Sequence, residues 1–332
     1  MNQGLLTRLF KSFHGDANSP LIKIAYSIIE EEKKKGHNNL AFKLDSILQR
    51  NIAERSEFKP HLKVTKEGNF KVPVDRRYRL PLATHIEHEN LRHEMILSSE
   101  VETKIHRIEK EYLGRERLAH HGLKPRRKIL LYGCSGCGKS MAAEKIAWDL
   151  GLPFYKVRFD TIISSYLGES ASNLQKLFES LNEYPCVLLL DEFDIIGKQR
   201  NSMSNDVGEI HRIVNILLGL LEEYSGEGIL IATTNLEDII DKALFRRFDD
   251  FIELPKPSEI EIINLLKVAF SALKLSSKIN LKEFANKMNE MSYAIIVKIA
   301  NDAAKKAVIN LEKEISLANL ENSFQENKAI NR

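Results

Sequence analysis

The sequence predicts an α/β fold in which a five-stranded parallel sheet is sandwiched between helices. Short apolar runs alternate with helical patterns beyond Ser98, and this alternation is typical of a parallel sheet covered on both faces. The five runs are Ile129–Tyr132, Phe154–Phe159, Cys186–Leu190, Ile229–Thr233 and Phe251–Leu254. After Pro255 and Pro257 only helical patterns follow, so we expect a small all-helical lid at the end of the chain.

The length of 332 residues suggests about two domains with room for a smaller appendage. Two apolar stripes at helical spacing predict a helical N-terminal docking region over residues 1–55. Residues 56–95 carry several prolines and basic side chains, which indicates a linker or a small irregular element. We expect the α/β domain over residues 96–256 and the lid over residues 257–332.

Composition excludes some classes of protein. The formal net charge is only +3, which argues against a chain held to nucleic acid or to anionic lipid by bulk electrostatics. Three cysteines cannot form a disulfide framework, so a reducing compartment is favoured. No apolar run approaches the length that spans a bilayer, and we expect a cytoplasmic protein without a membrane partner.

The segment from Gly133 to Ser140 fits the phosphate-loop pattern G-x-x-x-x-G-K-[ST], between a strand pattern and a helical pattern. Its glycines let backbone N–H groups turn towards phosphates, at a helix N-terminus whose dipole favours anions. We expect Lys139 to reach the β- and γ-phosphates of ATP and Ser140 to bind Mg²⁺. The predicted nucleotide-binding residues are Gly133, Cys134, Ser135, Gly136, Cys137, Gly138, Lys139, Ser140 and Met141.

Cys134 and Cys137 also form a C-x-x-C pair, a spacing found in redox and zinc sites. No second cysteine pair completes a metal site, and both residues lie inside the phosphate loop. We therefore interpret them as loop residues whose oxidation would block nucleotide binding.

Two adjacent acids follow the apolar run Val187–Leu190. The carboxyl ends of parallel strands are where α/β sheets bind their ligands. Asp191 is therefore predicted to hold the Mg²⁺ shell, and Glu192 to polarise the attacking water. With a phosphate loop upstream, the pair indicates hydrolysis of ATP rather than binding alone.

These motifs and their order resemble AAA+ ATPases, specifically the AAA subgroup that includes katanin- and spastin-like proteins. The resemblance covers the chain from Ser98 to Ala307. Within it, Ile231–Asn235 resembles the sensor-1 strand of that family. The resemblance implies that Asn235 orients water between Glu192 and the γ-phosphate.

A second matching stretch, Ala243–Asp249, resembles the arginine-finger segment of the family. The resemblance implies that Arg246 and Arg247 reach the nucleotide of a neighbouring subunit and stabilise charge on the transferred phosphoryl group. A head-to-tail contact that closes makes a ring, so the implied assembly is a homo-oligomer, a hexamer in this family.

The stretch Ser165–Ser170 resembles the first pore loop of the family, which grips an extended polypeptide. Tyr166 is the predicted gripping aromatic, with Leu167 and Gly168 beside it. Met291–Ile295 departs from the family pattern: Tyr293 stands where a glycine is common, and no arginine is available for a sensor-2 role.

One histidine-rich segment of the sequence is similar to a zinc-protease motif but does not match it. The motif needs histidines four apart on one helical face, whereas His88 and His93 are five apart. We interpret these histidines as a polar surface of the predicted linker.

The leading hypothesis is an ATP-driven unfoldase or remodelling motor with a polypeptide client. The overall layout also resembles short prokaryotic AAA+ proteins that work with a separate subtilisin-like serine protease, some of them in phage defence. Two alternatives stay open: a nucleic-acid motor or loader, and a nucleotide-gated scaffold or regulator of such a protease. The low net charge argues against the first, and the complete hydrolytic set argues against the second.

Overall fold

The computed structural model describes residues 72–75, 79–164, 169–193, 207–235 and 246–328, and the single positions 28, 29, 37, 41 and 44. The chain separates into two compact units, residues 1–63 and 64–332. In the first unit, Ile29, Ala41 and Leu44 are helical and buried. Apart from these three residues, Ile28 and His37, the predicted docking region lies outside the described residues, so its boundary stays a prediction.

The second unit begins with an α/β domain. Its strands are β1 (Ala83–Ile86), β2 (Lys128–Tyr132), β3 (Phe154–Val157), β4 (Val187–Leu190), β5 (Ile229–Thr234) and β6 (Asp250–Glu253). Its helices are α1 (Ser99–Leu113), α2 (Arg115–His120), α3 (Lys139–Leu150), α4 (Phe159–Ser164), α5 (Glu169–Glu183) and α6 (Val207–Glu223). A short 3₁₀ turn spans His88–Asn90.

The strands form one six-stranded sheet in the order β1-β3-β4-β5-β2-β6. The five predicted strands are all present and all parallel. The sixth strand, β1, pairs antiparallel with β3 at the edge of the sheet, and it lies in the segment predicted to be a linker. β1 lies at the edge of the sheet, and its two middle residues are exposed. Its sequence A-T-H-I therefore contains no apolar run, and the sequence pattern does not predict a strand there.

Side chains of the central strands alternate between two cores, one on each face of the sheet. In β4, Val187 and Leu189 join the core that α1 and α3 cover, whereas Leu188 and Leu190 join the core that α5 and α6 cover. Every residue of β4 and β5 is buried, which explains why these strands read as continuous apolar runs.

The lid is formed by α7 (Glu259–Ala269), α8 (Leu281–Lys287), α9 (Tyr293–Ile309) and α10 (Leu317–Lys328), around a core of its own. The prediction of an all-helical lid misses one feature, a parallel pair formed by β7 (Lys274–Leu275) and β8 (Glu314–Ile315). Strands of two residues are too short to produce a detectable alternation.

A capping box begins α7: the backbone N–H of Ser258 donates to Glu261 Oε2 across 2.7 Å. Because the same carboxylate also accepts from the hydroxyl of Tyr293, the first turns of α7 and α9 are held together. Within the described part of the chain, no helix is both long and apolar enough to cross a membrane.

Candidate active site

The phosphate loop connects β2 to α3 and depends on left-handed glycines. Gly138 has φ +89° and immediately precedes α3, and Gly136 has φ +76°. A Cβ on Gly133 would lie 2.4 Å from the carbonyl oxygen of Leu254, so only glycine fits this close approach to the chain leaving β6. The loop therefore exposes backbone rather than side chains at the start of α3.

Lys139, the first residue of α3, is buried and folds back over the loop. Its ammonium donates to the carbonyl oxygens of Gly133 and Cys134, both across 2.8 Å. These hydrogen bonds hold the ammonium of Lys139 against the phosphate loop, where the sequence predicts the phosphates of ATP.

Asp191 lies directly after β4 and uses both carboxylate oxygens. Oδ1 accepts from Ser140 Oγ across 2.7 Å and from Thr233 Oγ1 across 2.6 Å, and Oδ2 accepts from Lys156 Nζ across 2.5 Å. Burial by itself would raise the pKa of Asp191, but the hydrogen bonds from Lys156, Thr233 and Ser140 outweigh it, so the pKa lies below its ordinary value. Asp191 is thus an ionised carboxylate in a fixed orientation.

Glu192 is exposed and has φ +53°, a left-handed conformation that is uncommon outside glycine. Its N–H donates to Thr233 Oγ1 across 3.0 Å, and the next N–H, that of Phe193, donates to the carbonyl oxygen of Thr233 across 2.8 Å. Two hydrogen bonds to one residue of β5 therefore hold a conformation that costs about 1–3 kcal/mol. In this backbone conformation the side chain of Glu192 is exposed and does not enter the core.

The lid contacts the phosphate loop directly. The N–H of Ala294 donates to the carbonyl oxygen of Gly136 across 3.1 Å. Tyr293 packs against the core under α1 and α3, and its hydroxyl donates to Glu261 across 3.2 Å. Burial, followed by the charge of Glu261, raises the pKa of Tyr293, so its hydroxyl stays a donor.

A third wall comes from the segment between β1 and α1, which is tied to α3. The guanidinium and backbone N–H of Arg92 both bond the buried carboxylate of Glu144. Met95 and Ile96 follow and, with Arg92, line the same cavity as the phosphate loop. The predicted linker thus supplies part of the site.

These walls enclose a cavity of about 690 Å³, within the range of roughly 300–1,000 Å³ typical of small-molecule sites. Polar groups from the sheet edge and the loop line it together with apolar groups from the lid, chiefly Leu265, Val268, Tyr293 and Val297. The predicted site residues that line it are Ser135, Gly136, Cys137, Gly138, Lys139, Ser140, Met141, Asp191, Glu192 and Asn235. The arrangement can hold a phosphorylated ligand at its polar groups and an apolar ring beside the lid.

Other predicted residues lie elsewhere. Arg246 is exposed and Arg247 forms an ion pair with Glu222 across 3.3 Å, and neither is among the described residues that line the cavity. The predicted pore loop, Tyr166 to Gly168, lies outside the described residues.

Sequence reasoning missed Lys156 and Arg92, and it assigned no role to Thr233. Thr233 lies near the end of the buried strand β5, two residues before the predicted Asn235, and this position was an available signal. Lys156 is 35 residues from Asp191 and Arg92 is 52 residues from Glu144, and no local pattern connects such partners.

The histidines of the near-miss zinc motif have other contacts. The rings of His88 and His93 both stack on Trp148, with centroids 4.0 and 3.9 Å away. In the described residues, no group of three or more histidine, cysteine or acidic side chains could hold a metal ion. The histidines predicted to form a polar surface of a linker thus pack on an aromatic ring of α3.

Comparison with known proteins agrees with this geometry. The family model described as "ATPase family associated with various cellular activities (AAA)" matches residues 129–256. The uncharacterized AAA family ATPase y4kL of Sinorhizobium fredii is 32% identical over 322 residues, which cover 97% of this chain and 94% of the relative.

Two other relatives match a smaller share of the chain. The peroxisomal ATPase PEX6 of Candida glabrata is 34% identical over 58% of this chain and 20% of its own length. The ATP-dependent zinc metalloprotease FtsH of Helicobacter pylori is 32% identical over 63% of this chain and 34% of its own length. On the full-length match and the site geometry, this chain belongs to the AAA family of ATPases and hydrolyses ATP.

Proposed function

We propose that this chain is an ATP-driven motor that acts as a ring oligomer and threads or remodels a polypeptide client. The observation that carries the proposal is the pairing of an ionised, fully hydrogen-bonded Asp191 with an exposed, strained Glu192 at one cavity. A scaffold that only bound nucleotide would need neither the strain nor a second acid.

The chemistry of the donor set fits a magnesium ion. Ser140 and Asp191 present a hydroxyl and a carboxylate within 2.7 Å of each other, and Mg²⁺ binds oxygen ligands of this kind together with substrate phosphates. The ion would neutralise charge on the β- and γ-phosphates. Glu192 would accept the proton of the attacking water, which Asn235 would orient, while Lys139 holds the phosphates.

The ring is supported by the position of the predicted arginine fingers. Arg246 is exposed and outside the cavity of its own chain, so its guanidinium is available to a neighbour. A head-to-tail arrangement that closes would then complete each site with a residue from the next subunit, as in a hexamer.

A complementation experiment tests the ring. Arg246→Ala keeps the base but lacks the finger, and Glu192→Gln keeps the finger but lacks the base. Each variant alone should bind ATP and turn it over at most at a trace rate, whereas a mixture should recover activity in mixed rings. A mixture that stays inactive would contradict a finger supplied by the neighbour.

A polypeptide client is supported by one relative, since FtsH of Helicobacter pylori is named an ATP-dependent protease and therefore acts on protein. The test is ATPase activity with an unfolded protein or with DNA as stimulant, for the wild type, Tyr166→Ala and a control, Tyr184→Ala, at an exposed tyrosine after α5. We expect stimulation by protein that only Tyr166→Ala removes. Stimulation by DNA alone, indifferent to Tyr166, would favour the nucleic-acid motor instead.

A further inference from the structure

Lys156 brings a positive charge to the proposed metal ligand from a neighbouring strand. It lies on β3, in register with Leu189 of β4, two residues before Asp191. Its side chain is about half exposed and reaches past the sheet edge, so that Nζ lies 2.5 Å from Asp191 Oδ2. The strand pairing thus sets the distance that the lysine has to span.

The contacts of Asp191 divide between its two oxygens. Ser140 and Thr233 donate to Oδ1, and the ammonium of Lys156 bonds Oδ2. The carboxylate is therefore oriented, and its charge compensated, by groups of the chain itself.

Lys156 is not among the described residues that line the cavity, whereas Lys139 and Asp191 are. The ammonium of Lys156 contacts Asp191 Oδ2 across 2.5 Å, and Asp191 does line the cavity. Lys156 is therefore placed to act on the site through Asp191, as a positioning residue.

We propose that Lys156 is the resident counter-ion of Asp191 and that it sets the affinity of the site for Mg²⁺. The inference rests on the proposed magnesium site at Ser140 and Asp191. A cation on Oδ2 lowers the negative potential that a divalent ion meets at this carboxylate, so it weakens metal binding. It also keeps Asp191 oriented between turnovers, so that metal enters and leaves a preformed site.

The test measures Mn²⁺ binding to the full-length protein saturated with ADP, by electron paramagnetic resonance of the free ion. Lys156→Gln should tighten Mn²⁺ binding about fivefold, the upper range for a partly exposed ion pair. Lys156→Arg keeps the charge and should stay near the wild-type affinity. The affinity for a fluorescent ADP analogue in EDTA should be the same in all of these proteins, because Lys156 contacts Asp191 and not the phosphate loop.

Two controls distinguish an error in the proposed magnesium site from an error in the proposed role of Lys156. Lys306→Gln removes a lysine from an ion pair in the lid, Lys306 to Glu326 across 2.8 Å, and should leave Mn²⁺ binding unchanged. Asp191→Asn should weaken Mn²⁺ binding strongly. If Asp191→Asn has no effect, the magnesium site is wrong and the inference is wrong with it. If Asp191→Asn weakens binding while Lys156→Gln leaves it unchanged or weaker, the inference alone is overturned.

Discussion

Thr233 donates its hydroxyl to Asp191 Oδ1 across 2.6 Å, from the strand next to the one that Asp191 follows. The same hydroxyl accepts the N–H of Glu192 across 3.0 Å. One buried side chain thus fixes both the orientation of the first acid and the backbone turn of the second. The geometry of the two acids thus depends on an uncharged residue that lines the same cavity.

Replacing Thr233 with valine keeps the shape and removes these two hydrogen bonds. We expect turnover of ATP to fall about tenfold or more, because misplacement of a catalytic group by less than an ångström is costly. Nucleotide affinity should stay within about twofold, since the phosphate loop is untouched. Thr103→Val, which removes an exposed hydroxyl bonded to Ser99 in α1, is the control and should leave turnover unchanged. Normal turnover in Thr233→Val would contradict this role.

Gly136 lies at the contact between the lid and the phosphate loop, and Gly151 is its matched control. Both have left-handed φ angles, but a Cβ on Gly136 would lie 2.7 Å from Ser292 Oγ, whereas one on Gly151 would meet nothing within 4 Å. Alanine at either position should lower the free energy of unfolding by about 1 kcal/mol. Only Gly136→Ala should also weaken nucleotide binding, by about tenfold, because it displaces the lid from the loop. Equal nucleotide affinities, measured by titration of a fluorescent analogue, would argue against a lid-dependent site.

Much of this site could be predicted because its parts are contiguous in sequence. The phosphate loop and the pair Asp191–Glu192 each follow a buried apolar strand, and such strands have a strong local signature. The edge strand Ala83–Ile86 has no such signature, since it is stabilised by pairing with β3 rather than by its own apolar content. Ion pairs such as Lys156 with Asp191 exist only once the sheet has brought distant residues together.

The pair of Arg92 and Glu144 anchors the cavity wall that sequence reasoning took for a linker. The Glu144 side chain is only 5% exposed, so removal of its partner leaves a buried carboxylate without its counter-ion. Arg92→Ala should lower the free energy of unfolding by about 2 kcal/mol, less than for a fully buried pair because Arg92 itself is largely exposed. The double variant with Glu144→Gln should regain more than half of that loss.

Urea denaturation measures both values. Lys282→Ala, which removes an exposed lysine 4.0 Å from Glu259 in the lid, should change the free energy of unfolding by less than about 0.5 kcal/mol. If the double variant is as unstable as Arg92→Ala, the loss comes from packing of the arginine stem and not from the unpaired carboxylate.

Glu109 makes stability depend on pH. Burial raises its pKa, and the hydrogen bond from His106 offsets this only in part; Oε1 has no hydrogen-bond partner in the described structure. A raised carboxyl pKa contributes stability that is fully present below the unfolded value of about 4.3 and is lost as pH rises through the folded value. Glu109→Gln, which is neutral at every pH, should therefore be more stable than the wild type at pH 7 and equal to it near pH 4.

Thermal or urea unfolding at the two pH values tests this. Glu100→Gln in the same helix removes an exposed carboxylate whose pKa is lowered by its bond to Lys104, so it should show no gain at pH 7. A gain for Glu109→Gln that is the same at both pH values would mean that the effect is not one of titration.

We propose that ATP is hydrolysed at this cavity with Glu192 as the base. The most direct measurement compares nucleotide binding and turnover in the wild type and Glu192→Gln, a change that keeps the size and backbone of the residue. We predict that Glu192→Gln binds ATP within about twofold of the wild type, while its turnover falls by roughly a hundredfold or more, the scale of general base catalysis. Turnover close to that of the wild type would contradict the role of Glu192 as the base.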